Sequence, residues 1–144
     1  MKILAFMSLF ASWSTALVTI DLTSFPDKVY DETVTLNVGD SFEVMLRENP
    51  TTGYIWQVLD DDLTSEGLIN AIKVESANYV QDQNRRGAVG VGGIRTFQFK
   101  VIGASQGNLN LYHGRTWEMK SLSDKGISLK SYIQKVIPIV SQDI

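Results

Sequence analysis

Cysteine is missing from this chain of 144 residues. Disulfides, thiolate nucleophiles and cysteine-ligated zinc are therefore excluded, and the fold must hold by packing alone. A chain of this length can bury a core sufficient for that. Histidine is nearly missing: His113 stands alone. A lone histidine without cysteine makes no familiar zinc site. A Ser-His-Asp arrangement is numerically open, but no serine sits in a nucleophile-elbow pattern. No apolar run is long enough to span a bilayer. There is no basic stripe either. Net charge is −3 and Arg85-Arg86 is the one adjacent basic pair, which argues against nucleic-acid binding. Internal repeats and low-complexity tracts are absent. Asp60-Asp61-Asp62 lacks the spaced oxygen ligands of an EF-hand loop and reads as a solvated turn. No cofactor and no metal are expected.

What is present points to one domain with an ordinary core: 44% of residues are hydrophobic and 10% aromatic. The first residues have the pattern of a signal peptide. Lys2 supplies the positive start, residues 3–11 the short apolar stretch, and Ser14-Thr15-Ala16 the small residues before a cleavage site. The competing reading is a buried N-terminal helix. Cleavage after Ala16 would leave residues 17–144 as the domain and would remove Trp13. The expected location is the secretory pathway, either outside the cell or in lysosome-like or phagosomal vesicles.

Past residue 16 the chain reads as β structure. Val34, Leu36 and Val38 share one face of the run 33–38. Phe42, Val44 and Leu46 do so in 41–46, which a Gly39-Asp40 break separates from the first. Residues 54–58 form a third run and 72–80 a weaker one. Phe97, Phe99 and Val101 point inward from 96–101, as do Leu109 and Leu111 from 108–113. Ile133, Ile137 and Ile139 mark 131–140. Short alternating runs separated by turn residues predict an all-β antiparallel sandwich in a single domain. Residues 60–70 read as a short helical turn or a loop. Pro138 inside the last run implies an edge position or a bulge.

Three segments carry the functional signal. Asn49-Pro50-Thr51-Thr52-Gly53-Tyr54 joins two strands. Pro50 fixes its own φ and pushes Asn49 toward extended geometry, and Gly53 permits a sharp reversal. A plain hairpin connection would explain Pro50 and Gly53, but not two threonines held between stiff flanks. Gly90-Val91-Gly92-Gly93 precedes the strand run at 94–101. A phosphate-cradling loop would need a helix to follow it, and a strand follows instead. The stretch 78–93 reads as a long polar loop that moves in the free protein. Arg115-Thr116-Trp117 follows the run at 108–113. A tryptophan is often core, but this one lies among polar residues beside an arginine, the setting of an interface anchor. Trp56, by contrast, reads as core or as a wall behind the first loop.

These three motifs, in this order, resemble the chagasin-like inhibitors of papain-family cysteine proteases. That family carries NPTTGY or a near variant, then GxGG, then RPW or RPF. The first two motifs match in full, and the third departs at Thr116, where proline is usual. The resemblance covers about residues 17–140. It implies an immunoglobulin-like sandwich whose motif loops cluster at one end. It also implies a non-enzymatic, reversible inhibitor that blocks the active-site cleft with three loops. Thr51 and Thr52 would approach the target's catalytic cysteine and histidine, with Asn49 bracing the loop. The glycine segment would dock beside the substrate groove. Trp117 would lie against the target, and Arg115 would brace the loop or make a polar contact. The expected partners are papain-like cysteine proteases, and the chain itself is expected to be a monomer. Binding to nucleic acid is not expected, nor to membrane once the leader is removed. The competing function is a secreted adhesion or carbohydrate-binding sandwich module.

Overall fold

The computed structural model describes residues 17–83 and 92–143. The expected leader at 1–16, the Arg85-Arg86 pair, and Gly90 and Val91 lie outside the described residues. In chain order the elements are β1 (Leu17–Asp21), β2 (Val34–Asn37), β3 (Ser41–Glu48), β4 (Ile55–Gln57), α1 (Asp60–Ser65), β5 (Ile72–Gln81), β6 (Gly93–Val101), β7 (Ser105–Gly114), α2 (Thr116–Asp124) and β8 (Ile133–Gln142). Among the described residues the strands form two four-stranded sheets, ordered β1-β3-β6-β5 and β2-β8-β7-β4.

The alternation read from the sequence places the core. Phe42, Val44 and Leu46 of β3 and Phe97, Phe99 and Val101 of β6 are all buried. They face Leu36, Leu109, Leu111, Ile137 and Ile139 of the other sheet. Phe42 and Phe99 are cross-strand partners with rings stacked at 4.7 Å. Each side chain buried in this way contributes about 1.5–3 kcal/mol relative to exposure.

The expected sandwich is present, with a refinement at its edges. β1 runs parallel to β3, and β2 runs parallel to β8. Between β1 and β3 the chain visits the opposite sheet to build β2. That crossover lets β1 and β3 run in the same direction.

Pro138 is neither on an edge strand nor at a bulge, which corrects the sequence reading. β8 pairs with β2 on one side and β7 on the other, and the register shift falls between Leu111 and Tyr112. Val136 bonds Lys28 and Tyr30 on the β2 side. Pro138, two residues on, turns its nitrogen to that same side, in the gap before the β2 ladder begins at Val34 and Ile139. No ladder hydrogen bond is lost there, so proline is tolerated.

Two more readings are corrected. The stretch 78–93 is not all loop: residues 78–81 belong to β5 and pair with β6 down to Gln81 opposite Gly93. The segment after Arg115 is also not a loop, because Thr116 opens helix α2. Both helices end in the same way, with a left-handed glycine one residue past the cap. Gly126 and Ile127 bond back to Ser123 and Leu122, and Gly67 and Leu68 bond back to Thr64 and Leu63. This is the Schellman pattern, which satisfies the last carbonyls of a helix. In α1, Asp60 and Asp61 are exposed, while Asp62 accepts bonds from Asn110 and the Tyr112 hydroxyl of β7.

Candidate binding end of the sandwich

β3 ends in one sheet and β4 begins in the other, so residues 49–54 must cross between sheets at one end of the molecule. The crossing is a tight 3-10 turn over Pro50–Thr52. Asn49 stays extended at φ −127, Pro50 occupies the first position of the turn, and Gly53 closes it at φ +85. The Asn49 side chain accepts from the Thr51 amide at 3.3 Å and the Thr51 hydroxyl at 2.6 Å. The Thr52 hydroxyl donates to the Asn49 carbonyl at 3.0 Å and accepts from the Tyr54 amide at 3.4 Å. Asn49 braces the turn, as expected. Both threonines are exposed, but their hydroxyl protons are used inside the turn. The turn therefore presents methyl groups and oxygen lone pairs at its surface.

The third motif packs directly on the first. Arg115 Nε donates to the Thr52 carbonyl at 3.0 Å, and its guanidinium lies 4.6 Å from the centre of the Tyr54 ring. An ion pair with Glu118 at 3.0 Å holds it there. Arg115 is thus a brace. Trp117 is 61% exposed, and the end of its indole lies over Gly53. A Cβ on Gly53 would fall 2.5 Å from Trp117 Cη2.

Gly92 is beside the stem of the first turn, close to the Arg47 guanidinium and the Glu48 carbonyl. Gly93 begins β6 where only a bare Cα fits, since a Cβ would lie 2.3 Å from the Val80 carbonyl. A shallow cleft of about 340 Å³ separates the first two motifs, lined by Arg47, Glu48, Asn49, Gly92 and His113. The described members of all three motifs therefore meet at one end of the sandwich.

Arg47, Glu48, Asp82 and Arg95 at this end are not singled out by sequence reasoning. Arg47 makes a two-pronged pair with Asp82, whose amide bonds the Gly92 carbonyl, and this ties β3 to the residues just past β5 and just before β6. Glu48 is buried and paired with Arg95 at 2.6 Å. Trp56 is buried, as expected, and donates its indole N–H to the Arg47 carbonyl at 2.7 Å. His113 stacks on Trp56 at 4.5 Å and lies 5.6 Å from Tyr54. Burial lowers the His113 imidazole below its ordinary pKa, and the Glu48 carboxylate pulls weakly the other way. The turn thus stands on an aromatic stack.

The departure at Thr116 has a structural reading. Thr116 is the first residue of α2, and Arg115 before it sits at φ −86, ψ 125. Proline is favoured at a helix's first position, where the amide has no partner within the helix. The extended geometry of Arg115 is also what a following proline requires. Thr116→Pro is therefore expected to stabilise the protein by about 0.4–1 kcal/mol, raising the thermal unfolding midpoint by a few degrees. A lower midpoint would show that the Thr116 amide is in use.

With this geometry established, three comparisons identify the chain's relatives. Residues 35–130 match the sequence model of the chagasin family peptidase inhibitors. Amoebiasin-1 of Entamoeba histolytica is 35% identical over 104 residues, covering 71% of this chain and 90% of that protein. The fold is similar to the cysteine protease inhibitor EhICP2 from Entamoeba histolytica. That likeness has TM-score 0.58 at 21% identity and covers 90% of this chain and all of the other. The Leishmania mexicana ICP gives TM-score 0.54 at 23% identity, over 83% and 93% of the two chains. Sequence and fold lead to one conclusion: the chain belongs to the chagasin family of peptidase inhibitors.

Proposed function

We propose that this chain, by its family an inhibitor of cysteine proteases and not an enzyme, blocks papain-like proteases by lodging the Asn49–Tyr54 turn in their active-site cleft. Arg115, Thr116 and Trp117 flank the turn on one side. Gly92 and Gly93, the described part of the Gly90–Gly93 motif, flank it on the other. One observation carries this reading: a self-bonded Thr-Thr turn is locked to an exposed tryptophan through Arg115. Such a wedge loses little entropy on binding, because its backbone is already ordered. It is also a poor substrate. Pro50–Thr52 is helical rather than extended, and the Thr52 carbonyl is already bonded to Arg115. We further infer that residues 1–16 are a signal peptide and that the inhibitor acts in the secretory route or outside the cell.

Purified protein at micromolar concentration is expected to inhibit papain reversibly and to remain uncut after long incubation. A fluorogenic peptide assay with electrophoresis of the inhibitor checks both. Full papain activity would overturn the proposal.

Trp117→Ala is expected to raise the inhibition constant about 30-fold, from an anchor worth about 2 kcal/mol, chiefly through faster dissociation. With 61% of the residue exposed, thermal stability should hardly change. Surface plasmon resonance and a melting curve separate the two effects. A large fall in the midpoint would make Trp117 a structural residue instead.

A further inference from the structure

Glu48 is an unusual residue to find under a binding turn. It ends β3, directly before Asn49, and its side chain is fully buried. Its carboxylate accepts from three nitrogens at once. It accepts from Arg95 Nε at 3.2 and 3.1 Å and from Arg95 Nη2 at 2.6 Å. It also accepts the Trp56 amide at 2.8 Å, on the open side of edge strand β4. Arg95 is two residues past Gly93 on β6. Its third nitrogen donates to the Ala77 carbonyl of β5 at 3.0 Å, and its guanidinium lies 5.3 Å from the centre of the Tyr79 ring. One carboxylate therefore ties together both stems of the Thr-Thr turn, in different sheets, and the strand that leaves the glycine motif.

A buried ion pair is a weak source of net stability, because desolvation offsets most of the attraction. Its geometric effect lies at the base of the turn: it joins β3 and β6 of one sheet to β4 of the other. Resting on the inhibitory reading above, we propose that Glu48 and Arg95 are positioning residues for inhibition. They hold the Asn49–Tyr54 turn and the start of β6 in binding-competent register without touching the protease.

A positioning residue has a kinetic signature different from that of an anchor. When it is lost, only a fraction of molecules is competent at any instant, and apparent affinity falls by that fraction. The loss appears in association, whereas a lost contact appears in dissociation. The test measures both rate constants on immobilised papain for three proteins: the wild type, Glu48→Gln, and the paired apolar replacement Glu48→Leu with Arg95→Met. The double replacement removes the pair without leaving a buried charge, so the fold should survive, as near-ultraviolet circular dichroism and melting would show. It should associate about tenfold more slowly than wild type, with dissociation changed by less than about threefold. Glu48→Gln keeps an oxygen for the Trp56 amide and should fall between the two. If the double variant does not fold, Glu48→Gln decides by the same two rates. A folded variant that associates like the wild type, or that loses affinity only through dissociation, overturns this inference alone. A wild-type protein that leaves papain active overturns the inhibitory reading, and this inference with it.

Discussion

Gly53→Ala is expected to weaken inhibition by more than about a hundredfold while the sandwich stays folded. Gly53 sits at φ +85, where an L side chain adds roughly 1–2 kcal/mol of strain. The added Cβ would also fall 2.5 Å from Trp117 Cη2 and 3.3 Å from the neighbouring ring carbon. Those atoms form the far end of an exposed side chain, so the indole yields rather than the backbone. The variant then loses the set of the turn and also the tryptophan anchor, the latter worth about 2 kcal/mol. About 3 kcal/mol in total is slightly more than two decades of affinity. Titration against papain measures the loss, and a melting curve should show a fall of only a few degrees. A second variant tests the route. If Gly53→Ala acts partly by expelling Trp117, adding Trp117→Ala should cost little more, because the two changes remove one contact. Fully additive losses would show that the glycine and the tryptophan act independently. An unchanged inhibition constant for Gly53→Ala alone would place this turn outside the interface.

Much of this arrangement is legible in the sequence, for identifiable reasons. The core strands declare themselves by period-two alternation: Phe42, Val44 and Leu46 against Phe97, Phe99 and Val101. Asn49, Pro50 and Gly53 declare a turn because each restricts the backbone in its own way. The strut beneath the turn follows the same alternation one step further. After Phe42, Val44 and Leu46 the next inward position is Glu48, and before Phe97 and Phe99 it is Arg95. Two opposite charges on the inward phase of two strands signal a buried pair, once the strands are known to be neighbours. That last fact is tertiary, and local pattern does not contain it. Helix α2 is hidden for another reason. It buries one residue, Met119, so it has no apolar stripe to read. Its remaining signals are weak ones: Gly126 past its end, and Lys120 four residues before Asp124. The parallel pairings of β1 with β3 and of β2 with β8 depend on crossovers between sheets, which alternation within a strand does not record.

Thr52→Asp is expected to have the largest effect of any single change at the binding end. In the free protein the cost is modest. Thr52 is exposed, and although the new carboxylate cannot donate to the Asn49 carbonyl, Arg115 lies close enough to draw it. In the complex the same carboxylate would be buried against the protease, close to the catalytic thiolate of a papain-like site, with the neighbouring imidazolium offsetting part of the repulsion. A buried charge left unpaired costs about 3–5 kcal/mol, which puts the inhibition constant at least about a hundredfold above wild type. Thr52→Ser keeps the hydroxyl that donates to Asn49 and accepts from Tyr54, so it should remain within about fourfold of wild type, the loss of one methyl group. Thr52→Asn has the shape of Asp without its charge and should fall between them, which separates shape from electrostatics. The pH dependence gives a further check. An exposed Asp titrates near about 3.9, and burial raises that value in the complex, so the complex binds more protons than the free inhibitor. Affinity of the Asp variant should therefore recover as pH falls from 7 toward 4, relative to Thr52→Asn at each pH. Inhibition constants measured for the series over that range decide the matter. Equal constants for Thr52→Asp and Thr52→Ser would remove Thr52 from the contact. A deficit that does not change with pH would mean that shape, and not charge, sets the fit of the turn.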